Sequence, residues 1–187
     1  MLDIITNPAK DIWFISDTHF GHANFLNFKH TDGEYIRKFD NVQAMDDCMT
    51  THWNENIKPG DKVYHLGDVA MGGPAVVKSI GRLNGHKRLI VGNHDVLKGE
   101  LLNQFHKISM WRVFREHDFI CSHVPLREDS MMTTFNLHGH IHKHPSPSNR
   151  HMNICVEHHD YKPVHLDTIL AELARRKSTI GEIPRAY

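Results

Sequence analysis

The chain has 187 residues, enough for one domain with a full hydrophobic core, and we read 1–187 as a single domain. Its 22 Lys and Arg balance 22 Asp and Glu, so no global field draws it to nucleic acid or to an anionic membrane. No apolar run approaches the roughly 20 residues of a membrane span, which argues against a helical membrane protein.

Histidine is the outlier, with 18 residues, and it is the commonest metal ligand. The three cysteines, Cys48, Cys121 and Cys155, are odd in number and far apart, as expected of free thiols in a reducing compartment. The N-terminus carries no basic segment followed by a long apolar one. The expectation is a soluble, cytoplasmic protein.

In chain order, Asp11–Ser16 is a continuous apolar run of strand length, as in a strand covered on both faces. It ends in Asp17-Thr18-His19, and residues two apart in an extended segment project to the same side, so Asp17 and His19 can reach one ion. His22 can line the same cleft, or equally can pack or face solvent. Residues 27–40 are mixed and polar, with a turn signal at Asp32-Gly33, and are assigned no chemistry.

Val42, Met45, Met49, Trp53 and Ile57 recur at helical spacing behind Asp40-Asn41 and ahead of Pro59-Gly60, which predicts a helix packed on a core. Lys62–Leu66 reads as the second strand, closed by Gly67-Asp68. The Asp68 carboxylate has two oxygens and can bridge two cations. Pro74 suits a first helical position, with Val76, Val77, Ile80 and Leu83 buried.

Leu89-Ile90-Val91 is the third strand, and it runs into Gly92-Asn93-His94-Asp95. Polar groups at the end of a buried strand lie where open α/β sheets bind ligands. Asn93 offers a neutral oxygen ligand. The alternation of sheet and helix implies parallel strands in the first half. Leu97–Phe105 reads as helical.

Ser109–Phe114 and Asp118–Cys121 then look like strands with little between them, which predicts antiparallel pairing in the second half. His123 sits at another strand end. Arg127, just beyond, could neutralise an anionic substrate, although a surface arginine is the commoner case. In Asn136–His142, His140 and His142 are two apart and can face one site, and Gly139 allows close backbone approach.

His144–Arg150 is a loop, His151–Glu157 a strand, Asp160–Pro163 a turn and Leu166–Lys177 an amphipathic helix. Arg175, Arg176 and Lys177 complement that helix's dipole and read as a solvated terminus rather than a nucleic-acid site. The last ten residues look like a loose tail.

The ordered blocks Asp17-x-His19, Gly67-Asp68, Gly92-Asn93-His94-Asp95, His123 and Gly139-His140-x-His142 resemble the calcineurin-like metallophosphoesterase family. The resemblance runs from about Asp11 to Glu157. It is nearest to the small single-domain bacterial and phage members, through Asp17-Thr18-His19-Phe20-Gly21-His22 and Asp160-Tyr161-Lys162-Pro163.

The resemblance implies an α/β (α+β) fold, a β-sandwich of two mixed sheets flanked by helices, with two divalent metals at the sheet edge. It assigns one ion to Asp17, His19, Asp68 and His142, and the second to Asp68, Asn93, His123 and His140. Carboxylate and imidazole suit Mn first, with Fe, Zn, Ni or Mg as alternatives. Two such ions roughly 3.5–4 Å apart would activate a bridging hydroxide for in-line attack on phosphorus. His94 would stabilise transition-state charge or protonate the leaving group, with Asp95 orienting it.

Gly67–Gly73 lacks the second aspartate and the arginine of the protein-phosphatase branch, so a phosphoprotein substrate is not expected. With no cap domain, the site should be open and the substrate a small phosphodiester or nucleotide, such as a cyclic nucleotide. The alternatives are a nuclease on short oligonucleotides and a non-catalytic scaffold on the same fold. Strong duplex binding is not expected, and nothing in the sequence identifies an interface between subunits.

Overall fold

A strand that is apolar on both sides must be covered on both sides, and the chain supplies the cover alternately. The computed structural model describes residues 10–180. In chain order the elements are β1 (Ile12–Ile15), α1 (Val42–Asn56), β2 (Lys62–His65), α2 (Pro74–Ser79), β3 (His86–Ile90), α3 (Glu100–Asn103) and β4 (Lys107–Ser109). There follow β5 (Trp111–Phe114), β6 (Phe119–Ser122), β7 (Phe135–His138), β8 (His151–Asn153), β9 (Val164–His165) and α4 (Leu166–Lys177).

These strands form two sheets, ordered β4-β3-β2-β1-β9 and β5-β6-β7-β8. The first four strands pair in parallel, as their strand–helix alternation predicts, while β9 runs antiparallel against β1. Phe14, Tyr64 and Ile90 face the second sheet and pack on Phe114, Phe119 and Leu137. Their neighbours Ile15, Val63 and Leu89 face the other way and pack under Met45, Met49 and Trp53 of α1. Burial of each such large side chain contributes roughly 1.5–3 kcal/mol.

Helix α1 begins where Asn41 Oδ1 accepts the Ala44 N–H at 2.9 Å, and α2 begins at Pro74. In α4, Ile169 and Leu173 join the core between the sheets, and Glu172 ties up Arg175 and Arg176. The basic end of α4 is thus a paired helix terminus.

Four local expectations are corrected. Only β5 and β6 are antiparallel in the second sheet; β6–β7 and β7–β8 are parallel. Residues 123–134 and 139–150 provide crossovers of about a dozen residues, the length a parallel pairing needs. The Ser109–Phe114 run is two strands, because the chain passes from the first sheet to the second at Met110.

The Leu97–Phe105 helix shrinks to α3, which starts after Gly99 at φ +58°. The His151–Glu157 strand ends at Asn153, beyond which Cys155 makes one bridge to Ser16 and the chain turns through a 3-10 segment at Val156–His158. Of the expected tail, residues 178–187, those from 181 onward lie outside the described residues. Among those described, no helix is long and apolar enough to cross a membrane.

Candidate metal centre

The site is built where the strands of both sheets stop. Past β1 and β2 the two chains stay side by side, with Asp17 N–H donating to Gly67 O and His19 N–H to Asp68 O, each at 3.0 Å. Past β6 and β7 of the second sheet the chain does the same, with Gly139 N–H donating to His123 O at 2.8 Å. Asp17, His19, Asp68, His140 and His142 all adopt left-handed backbone, with φ between +47° and +71°. Such conformations are unfavourable for residues with a Cβ and cluster where the surroundings over-determine a functional geometry.

The site draws on two groups of potential ligand atoms, one from Asp17, His19 and His142 and the other from Asp68, His123 and His140, while a third, of His142, Cys155 and Glu157, shares His142 with the first; within each the atoms lie within 4.8 Å of one another. Asp68 stands between the first two. Its Oδ2 is 3.7 Å from His19 Nε2 and 3.3 Å from His123 Nε2, while Oδ1 accepts the His94 N–H at 2.8 Å.

The hydrogen bonds around these groups leave specific lone pairs free. Asp17 Oδ2 accepts from Ser16 Oγ at 2.5 Å, His140 N at 2.9 Å and Cys155 Sγ at 3.2 Å. Its Oδ1 has no hydrogen-bond partner among the described residues and faces Nε2 of His19 and His142 at 3.9 and 3.8 Å. Both ring nitrogens of buried His19 also lack a partner among the described residues. Buried polar atoms left unpaired are rare and fit a cation's place.

His123 donates through Nδ1 to Leu66 O at 2.7 Å, which turns Nε2 toward Asp68 Oδ2 and toward Asn93 Oδ1 at 2.9 Å. Nε2 and the two oxygens converge on one point, where a proton or a cation fits. His142 donates through Nδ1 to Glu157 Oε1 at 3.1 Å, and its Nε2 is likewise directed inward. The donor set of carboxylate, imidazole and amide suits divalent first-row metals.

Burial fixes the charges. It drives the His19 pKa down to about 2, assisted by the Arg37 guanidinium and His142, so the ring is neutral and its nitrogens can offer a lone pair. For Asp68 burial works upward, but the His123 hydrogen bond and charge outweigh it and hold the carboxyl at about 2. Burial dominates at Asp17 and raises its pKa against the pull of His142.

His94 and His22 lie at the rim, their rings 5.6 and 5.7 Å from that of His19, and His140 stands open to solvent 5.1 Å from His123. Two expectations change. The Asp95 carboxylate does not orient the His94 ring; it accepts the N–H groups of Asp68, Val69 and Gly92 at 2.8–3.0 Å and clamps one strand end to the other. Adjacent side chains diverge, and this one turns inward. Arg127 is a surface residue paired with Asp129 at 2.6 Å, the commoner of the two placements open to it, and it does not join either ligand group.

Close approach depends on two glycines. A Cβ at Gly139 would stand 2.2 Å from Asp17 Oδ2, and one at Gly92 would stand 2.2 Å from Asp68 Oδ1.

The calcineurin-like phosphoesterase family profile matches residues 10–179. The chain belongs to that family. An uncharacterized protein of Methanocaldococcus jannaschii is 32% identical over 181 residues, covering 90% of this chain and 94% of that one. The gene 66 protein of Mycobacterium phage L5 is 26% identical over 184 residues, covering 77% and 83%. A solved structure of a protein of unknown function from Aquifex aeolicus shares the fold at a TM-score of 0.67 and 25% identity, over 86% of this chain and 97% of that one.

Two residues of this calcineurin-like phosphoesterase escaped the sequence reading. Arg37, in the segment assigned no chemistry, is buried; it donates to Glu157 at 2.8 Å, to Thr18 O at 2.8 Å and to Asp17 O, with Phe25 stacked beneath it. Glu157 in turn holds His142. Burial pushes Glu157's pKa up, but Arg37 and His142 prevail and bring it to about 2. A lone arginine and a lone glutamate carry no periodic signal that could have paired them.

Proposed function

We propose that the chain is a binuclear-metal-dependent phosphodiesterase that hydrolyses small phosphodiesters such as cyclic nucleotides. The observation that carries this reading is the position of Asp68, whose Oδ2 lies within 3.7 Å of a ligand nitrogen from each of the two groups it stands between. Asp17, His19, Asp68 and His142 would hold one ion, and Asp68, Asn93, His123 and His140 the other. When bound, the ions supply Lewis acidity, lowering the pKa of water and offsetting phosphoryl charge.

The protein's own groups do the rest. Asp68 takes its place because Oδ1 is fixed by the His94 N–H and its backbone by Asp95. The His94 ring makes no hydrogen bond to the described residues and stands at the rim, where it can pass a proton to the departing ester oxygen. His22, half-buried beside it, can hold a phosphoryl oxygen. The absence of net charge supports a small substrate over duplex nucleic acid, and the free cysteines support a cytoplasmic setting. Manganese is the first ion to supply, with Fe, Zn, Ni and Mg as rivals.

The test is hydrolysis of bis(p-nitrophenyl) phosphate beside p-nitrophenyl phosphate by metal-stripped protein, with Mn, Ni, Mg or Zn added back. Metal-dependent diester turnover above monoester turnover is expected, followed by activity on 2′,3′- or 3′,5′-cyclic nucleotides. No turnover by protein shown to bind two ions would favour a non-catalytic scaffold.

A further inference from the structure

Beside the second ligand group the surface sinks into a cavity of about 540 Å³, a size typical of small-molecule sites. Its wall includes Asn93 and His123, so it opens onto the proposed metals. The rest of the lining is mostly apolar. Trp111, Met110 and Met132 are 58%, 60% and 59% exposed and converge on it together with Val124. Large apolar groups that collect in one concavity while still open to solvent mark a binding surface.

Strand register explains the placement. Trp111 pairs with Ser122 in the β5–β6 ladder, and directly opposed residues of an antiparallel pair share a face. Ser122 precedes His123, so the indole is held one residue from a candidate ligand. The hydroxyls of this wall are already engaged: Ser122 Oγ donates to Val124 O and accepts from Asn136 Nδ2, and Ser130 Oγ donates to Asp129. Side-chain hydroxyls are therefore committed elsewhere, and the lining offers an aromatic face and two thioethers, both of which attract flat rings.

Building on the phosphodiesterase reading, we propose that this cavity is a subsite for an uncharged aromatic group of the substrate, seated against Trp111 while the phosphate lies at the metal centre. A nucleobase and a simple aryl group share that chemistry. The cavity's continuity with His123 and Asn93 favours such a group over a second copy of the chain, which would seal the metal centre.

The test reads binding, separately from turnover. Manganese-loaded protein is titrated by calorimetry with methylphosphonate, phenylphosphonate and adenosine 5′-monophosphate. Phenylphosphonate should bind at least about tenfold more tightly than methylphosphonate, and Trp111→Ala should reduce that ratio to near one, with Met132→Ala intermediate. Circular dichroism and metal content of both variants should match the parent, as their side chains are exposed. A stronger effect of Trp111→Ala on the nucleotide than on phenylphosphonate identifies the base as the occupant, and the reverse identifies an aryl group.

A ratio near one in the parent, an unchanged ratio in Trp111→Ala, or no measurable phenylphosphonate binding overturns the subsite. So does loss of a dimer on gel filtration in Trp111→Ala with the ratio unchanged, which would make this face a contact between copies. Retention of the ratio in a protein that hydrolyses no ester would leave the subsite standing and remove the hydrolase reading.

Discussion

Glu157 Oε1 accepts a hydrogen bond from His142 Nδ1 at 3.1 Å, which fixes the tautomer of His142 and points Nε2 toward Asp17. Outer carboxylates of this kind orient a ligating imidazole and raise its basicity. Glu157→Gln should therefore lower the affinity of one metal by about 10–100-fold while leaving the other nearly unchanged. Titration of metal-stripped protein with Mn, resolved into two binding steps, checks this; equal loss at both steps would count against a local role.

Arg37 supports the same carboxylate and, with it, the carbonyls of Asp17 and Thr18. Removing one partner of a buried pair leaves an uncompensated charge, so Arg37→Met should destabilise the metal-free protein by about 3–5 kcal/mol. Adding Glu157→Gln to Arg37→Met should cost less than the sum of the two single changes. Urea unfolding of the four proteins measures the coupling, and strict additivity would show that the contact carries little.

The difference between what the sequence announced and what it hid follows from distance along the chain. Asp17, Asp68, Asn93 and His123 declare themselves because each closes or follows an apolar run of strand length. Arg37 does not, since the atoms it binds belong to residues 19, 20 and 120 positions away and its own segment has no period. The passage between sheets at Met110 is silent for a related reason: Ser109–Phe114 is extended on both sides of the break, and only pairing partners distinguish the halves. Asp95 points to its neighbour His94 when only adjacency is visible, whereas its partners are 26 and 27 residues back as well as 3.

Asp95 makes a prediction of its own. Asp95→Ala would strip the acceptor from the N–H groups of Asp68, Val69 and Gly92, each stranded donor costing about 1–3 kcal/mol where water cannot reach it. The expected outcome is a clear drop in the urea midpoint together with weaker metal binding. Asp95→Asn keeps one acceptor oxygen and should be milder in both respects. If Asp95→Ala instead matched the parent in stability and metal content but lost turnover, the carboxylate would act on the chemistry and not on the loops.

His94 and Asp68 separate chemistry from metal binding. They are joined by the His94 N–H to Asp68 Oδ1 bond, which uses backbone and survives any change of the His94 side chain. His94→Ala should therefore keep two metals per chain and its stability, yet lose about 10²–10⁴-fold in diester turnover if the ring transfers a proton to the leaving oxygen. The deficit should shrink for esters of acidic phenols, whose oxygens depart without protonation, and widen for alkyl leaving groups. Asp68→Ala should lose turnover on every ester, because the oxygen facing both His19 and His123 is gone and metal content falls with it. Metal analysis beside kinetics on two leaving groups distinguishes the variants: full activity of His94→Ala on an alkyl diester removes the proton-transfer role, and two tightly held ions in Asp68→Ala remove the bridge.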